Sequence, residues 1–194
     1  MKIGDSKVDE ENLPEIELVI SVYAGLVTVD EESNDIRLVR YTTEECFERT
    51  QITWFPNAQR DIARTSITYL SLNTFEAGFC ETSDKSQKRL EQNPLYDYAA
   101  HNWGDHARVS STLEGQLTLD FLKSEAKVSG SSQAMMVSRS YYSHIMVPMQ
   151  ITGVHVAAYF GLRGVIADLV EIGHDPDSKN SNRWTPLSWA AERT

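Results

Sequence analysis

His101, Asp105 and His106 form the most ligand-like cluster of side chains in the chain. A zinc site needs its imidazoles on one helix face, as an i, i+4 pair, together with a third or fourth ligand. Five residues turn His101 and His106 about 140° apart on a helix. Capping or packing beside Trp103-Gly104 is therefore the expected duty of both, and no metal site is expected. Cys46 could serve as a nucleophile, but Glu44, Glu45 and Glu48 surround it and disfavour the thiolate. Ser, His and Asp all occur without a G-x-S-x-G elbow. Tyr96, Tyr98 and Trp103 could stack bases, although Trp103 also fits a helical apolar stripe. Asp30-Glu31-Glu32 could hold Mg²⁺, yet the chain has no G-x-x-x-x-G-K-[ST] loop to cradle a triphosphate. The acidic run is expected to be a solvated turn. No catalytic residue, metal site or cofactor is expected, and the chain is read as a non-enzyme.

The elements that must position these residues are mostly helical. Ile16, Val19, Ile20 and Tyr23 recur at helical spacing, predicting a short helix that ends near Gly25. Residues 25–30 and 36–41 are β-branched and partly alternating, which predicts a hairpin across the polar connection 31–35. Thr42 with Glu45 has the form of a capping box and predicts a helix from Thr43 to Thr50. From Asn57 to Leu72 the pattern is helical, with Ile62, Ser66, Tyr69 and Leu70 on one face. Ser83 to Lys88 reads as a polar loop. Pro94 opens the strongest helix, with Leu95, Ala99, Trp103 and Ala107 as one continuous stripe. Leu117, Phe121 and Leu122 mark another short helix. The Ser-rich stretch from Ser129 to His144 reads as a locally docked connector.

The formal net charge is −10. Binding to phosphate backbones depends on Lys and Arg, so nucleic acid is not an expected partner. Cys46 and Cys80 show no CxxC spacing, as expected for a reduced, intracellular protein. The longest apolar run, Leu18 to Val29, is broken by Ser21 and Gly25 and falls short of the roughly 20 residues a membrane span needs. The N-terminal residues lack the apolar stretch of a signal peptide. A soluble, cytoplasmic protein without membrane association is expected.

Thr152-Gly-Val-His-Val-Ala-Ala158 returns as Thr185-Pro-Leu-Ser-Trp-Ala-Ala191, 33 residues later. Between the copies lie Gly161, an apolar segment from Val165 to Val170, Gly173 and Asp175. That period and punctuation resemble an ankyrin repeat, a unit that presents binding surfaces. His155 stands at the first-helix histidine of such repeats, where the resemblance implies a hydrogen bond across the turns. Arg183 stands where the turn usually has Gly, a departure that strains the turn. The second copy reaches Thr194 within its first helix, so one full and one truncated repeat are expected. Trp189 is expected to face the next repeat and to lack a partner there. Tyr159, Phe160, Arg183, Trp184 and Trp189 are the candidate protein-contact residues.

Several phrases then occur in order: Ala24-Gly-Leu-Val-Thr-Val-Asp30, Arg37-Leu-Val-Arg-Tyr-Thr-Thr43, Trp54-Phe-Pro-Asn-Ala58, Pro94-Leu-Tyr-Asp-Tyr-Ala-Ala100, Asn102-Trp-Gly-Asp-His-Ala107 and His155-Val-Ala-Ala-Tyr-Phe-Gly161. Together they resemble the stretch between the NACHT module and the ankyrin array of large fungal NACHT–ankyrin proteins, which belong to the STAND, or NLR-like, class. The resemblance implies a mainly α fold in three parts. Residues 1–55 would be a partial winged-helix domain with a β-hairpin, 56–147 an α-helical spacer and connector, and 148–194 the start of an ankyrin-repeat stack. Family members commonly have His where this chain has Arg40, so no nucleotide-sensing switch is carried over at that position. The function implied is a non-catalytic interaction and scaffold segment of a signalling protein. It would bind other proteins through its repeats, a NACHT-bearing chain among them. The alternative is a small winged-helix DNA-binding regulator.

Overall fold

The computed structural model describes residues 26–30, 36–110, 115–137 and 149–193, together with Glu15, Leu18 and Ser21. The fold is mainly helical with one small antiparallel sheet. Two compact units divide it, one within residues 9–58 and the other covering 59–194. Among the described residues no helix is long and apolar enough to cross a membrane.

In the first unit, strands β1 (Val27–Val29) and β2 (Ile36–Leu38) pair antiparallel, with Thr28 opposite Arg37. Val39 extends the ladder by donating its N–H to Leu26 O at 2.9 Å. The expected connection at 31–35 lies outside the described residues. So does the helix expected over 16–23, apart from Leu18 and Ser21, which are helical. Helix α1 (Tyr41–Trp54) is longer than the sequence pattern predicts, and its cap is different. Arg40, in extended backbone (φ −137°, ψ 137°), is the N-cap, and no side chain caps the helix. Thr42 therefore falls inside the first turn and cannot act as the cap. The helix runs on to Trp54, where Pro56 disfavours helical backbone in the residue before it.

The second unit contains helices α2 (Ala58–Leu70), α3 (Ser83–Gln92), α4 (Pro94–Val109), α5 (Gly115–Lys123), α6 (Glu125–Val137), α7 (Gly153–Phe160), α8 (Arg163–Glu171) and α9 (Pro186–Glu192), with a 3₁₀ turn at Asn73–Phe75. Two segments correct the sequence expectation. Residues 83–88, expected as a loop, lie in α3, because Thr82 caps its first turn by accepting from Lys85 N–H at 3.3 Å. Its Lys, Gln, Arg and Glu residues are good helix formers even without an apolar stripe. Only Ser86 is buried there. Of the Ser-rich stretch 129–144, expected as a connector, residues 129–137 are the second half of α6, with Ser131 to Met135 all buried, and the rest lies outside the described residues. Surrounded on several sides, this helix has no polar face to reveal its period. Ser131 satisfies its hydroxyl on Lys127 O at 2.8 Å within its own helix.

Trp103 on α4 sits at the middle of the core, fully buried. Its ring meets Phe121 of α5 edge-on at 5.4 Å and Phe160 of α7 at 5.0 Å. The buried stripe on α4 runs through Tyr96, Ala99, Ala100, Trp103, Gly104 and Ala107. Leu95, expected to start it, is 38% exposed. Tyr96 takes that place, stacking on Phe75 at 4.2 Å. Gly104 is required by contact rather than by backbone angle: a Cβ there would lie 2.0 Å from the Phe160 ring. Gly153 likewise lets α7 approach the backbone of α5, since its Cβ would lie 2.2 Å from Leu122 O. The Gln133 amide brackets the backbone of Cys80, accepting its N–H at 2.7 Å and donating to its carbonyl at 2.8 Å. Helices on either side of residue 148 thus share one core.

Candidate functional site

The recurring phrase produces a recurring geometry. Thr152 precedes α7 with φ −100° and ψ 164°, and Thr185 precedes α9 with φ −94° and ψ 166°. In each case the side chain three residues on reaches back to the threonine N–H, from His155 Nδ1 at 3.3 Å and from Ser188 Oγ at 3.4 Å. Each orphan donor at a helix start is thereby satisfied. Pro186 adds a pre-set φ at the first position of α9. Helix α7 ends at Gly161, in the left-handed region with φ 69°. The chain turns there without a Cβ penalty and begins α8 within two residues.

His155 ties this helix to the loop that follows α8. Its Nδ1 accepts from Thr152, so its Nε2 carries the proton and donates to Trp184 O at 3.0 Å. That carbonyl also accepts from Asn180 N–H at 3.0 Å. Asn180, buried, uses its side-chain oxygen to accept from the N–H groups of Asn182 and Trp184, both at 3.0 Å. Arg183 closes this tight turn with φ 64°. A non-glycine side chain in left-handed backbone is disfavoured, so the strain expected at Arg183 is present. Burial holds the His155 pKa below the usual imidazole value, and the Trp184 hydrogen bond acts weakly in the other direction. The neutral ring is the form that fits both bonds.

The five candidate contact residues divide. Trp184 is 41% exposed and Arg183 is exposed beside it. Tyr159 is half-buried. Phe160 is buried against Trp103 and Gly104, so it is a core residue and not a contact residue. Trp189 corrects the expectation in the same way. Its indole is only 1% exposed, packed edge-on against His155 at 5.8 Å and Tyr159 at 5.9 Å. Position 189 is in register with Val156, and its larger ring reaches back to α7 instead of waiting for a neighbour ahead.

Two residues that the sequence reading passed over belong to this face. Leu187 is 79% exposed, although it is in register with buried Val154. The 33-residue offset by itself places Leu187 inward, so no sequence signal marked it as exposed. Arg193, in register with Phe160, lays its guanidinium over the rings of Tyr159 (4.6 Å) and Phe160 (4.8 Å) and pairs with Asp105 on α4. Asp105 is thus an ion-pair partner, also reached by Arg108 at 3.4 Å.

His101 and His106 are turned to separate tasks on α4. Both ring nitrogens of His101 face carbonyl oxygens, Asp97 O at 2.9 Å and Met135 O at 2.8 Å. His106 meets Gln59 Oε1 at 2.6 Å and Tyr98 OH at 3.0 Å, and burial lowers its pKa against a smaller opposing effect of Asp105. Tyr96 is buried with its phenol pushed up to about 12 by desolvation, whereas Tyr98 is 45% exposed. Cys80 is buried and Cys46 exposed. Among the described residues, no three His, Cys, Asp or Glu side chains gather as a metal site would require. The chain matches no family model, no curated protein and no solved structure.

Proposed function

We propose that the chain is a non-catalytic interaction and scaffold segment of the NACHT–ankyrin, NLR-like class of signalling proteins, acting in the cytoplasm. In this reading α7 and α8 are one ankyrin repeat and α9 opens the next. Helices α2 to α6 are the spacer that carries them. The two strands and α1 are the remaining part of a post-NACHT winged helix. The observation that carries the reading is the matched pair of helix starts at Thr152 and Thr185, with His155 bridging from one to the turn before the other. That contact supports the reading, because each unit of a stack touches its neighbour. Arg183, Trp184 and Leu187 are the side chains this surface offers to a protein partner.

The test is binding of the full chain to a NACHT-bearing chain of the same class, measured by calorimetry. A complex that is weakened in the Arg183→Ala, Trp184→Ala double variant supports the reading. Hydrolysis of ATP by the purified chain would overturn it. Salt-sensitive binding in a gel-shift assay would instead favour the DNA-binding alternative, which the net charge of −10 opposes.

A further inference from the structure

Helix α1 carries a second surface, separate from the repeat face. This helix has 14 residues, and none of them is buried. An isolated helix of that length is marginal in water, and most helical stability in proteins comes from packing an apolar face. Here the apolar side chains are present but open. Tyr41 is 72% exposed, Ile52 82%, Trp54 55% and Phe55 60%. Phe47 and Trp54 meet edge-on at 5.7 Å, and with Leu38, Gln51 and Phe55 they line a shallow groove of about 350 Å³. Its charged lining residues are Glu44 and Glu48, one helical turn apart. Among the described residues neither has an ion-pair partner. Arg37 on β2 is engaged at 3.2 Å by Asp30.

We propose that this groove is a docking site for a basic amphipathic helix of a partner protein. The apolar walls would take one face of such a helix, the usual mode of helix-in-groove recognition. The two carboxylates would take Lys or Arg residues one turn apart on its margin. The same charges repel an anionic membrane or a nucleic-acid backbone. The charge of the groove therefore selects the partner.

The test uses the full chain and a synthetic amphipathic helical peptide with leucine on one face and lysine on the other, followed by NMR. A peptide of the same leucine pattern with glutamate in place of lysine is the control. The expected result is binding of the lysine peptide, with shifts confined to residues 38–55, and no binding of the glutamate peptide. Glu44→Gln with Glu48→Gln should weaken binding by about fivefold, as for loss of two exposed ion pairs. Both carboxylates are exposed, so this variant keeps its fold, which circular dichroism checks. Equal binding of the two peptides, binding of neither, or concentration-dependent dimerisation that occupies the groove would overturn the proposal. Peptide binding should survive Arg183→Ala with Trp184→Ala, so failure here is distinguishable from failure of the repeat reading.

Discussion

Helices α1 and α4 are of similar length, 14 and 16 residues, and lie at opposite ends of the burial scale. Helix α4 encloses six residues in a core where Trp103 touches two other aromatic rings. Helix α1 carries Tyr41, Phe47, Ile52 and Trp54 and buries none of them. Both carry large apolar side chains, and they differ in how those are arranged. On α4 the apolar residues follow one stripe and glycine at 104 lets a neighbour in, so the chain itself supplies the cover. On α1 aromatic and acidic residues alternate around the groove. Among the described residues nothing buries such a surface.

The largest expected effect tests the self-sufficient side of this comparison. Trp103→Ala should lower the stability of the 59–193 unit by about 4 kcal/mol, the range for large aromatic truncations in a close-packed core. Urea denaturation measures it, and a loss under about 1.5 kcal/mol would mean that this core tolerates a cavity at its centre. Trp189→Ala comes next and should act locally. Amide exchange protection in α9 should collapse while that of α4 persists. Trp184→Ala, which removes an exposed ring, should leave α9 protected. Equal effects of the two would remove the distinction between the buried and the exposed tryptophan.

A pH effect follows from His155 and His106, both held below the usual imidazole value of 6.5. Between the lowered value and 6.5 the unfolded chain binds more protons, so stability rises with pH there. The contribution is complete above about 6.5 and declines as pH falls below it. His155→Gln should flatten part of that slope in thermal melts recorded from pH 7 to pH 5. The smallest effect belongs to α1: Ile52→Ser, at a side chain 82% exposed, should change stability by under about 0.5 kcal/mol. A larger loss would show that α1 is covered within the chain, and the comparison would fail.

Much of the surface around the two threonine-led helix starts was legible in the sequence. The paired threonine caps are local devices, in which a side chain three residues on satisfies the cap backbone, and Gly161 is a local device of backbone angle, whereas His155 also reaches Trp184 O, 29 residues on. Residue type and spacing specify the local devices almost completely. The hairpin was legible for the same reason, since alternation and β-branching act along the strand. Helix α3 was missed because a polar helix has no apolar period to read. Helix α6 was missed because a helix enclosed on several sides has none either.

By itself the sequence determined the helix starts at 152 and 185, the turn that needs a left-handed residue at 161, and the acidic surface. Only the tertiary structure decided which aromatic residues face inward. Phe160 fills the gap left by Gly104, 56 positions away along the chain. Trp189 lies on His155 and Tyr159, and Arg193 reaches across to Asp105. Those choices depend on volume and partners brought together by folding, and no periodicity along the chain encodes a contact between distant residues.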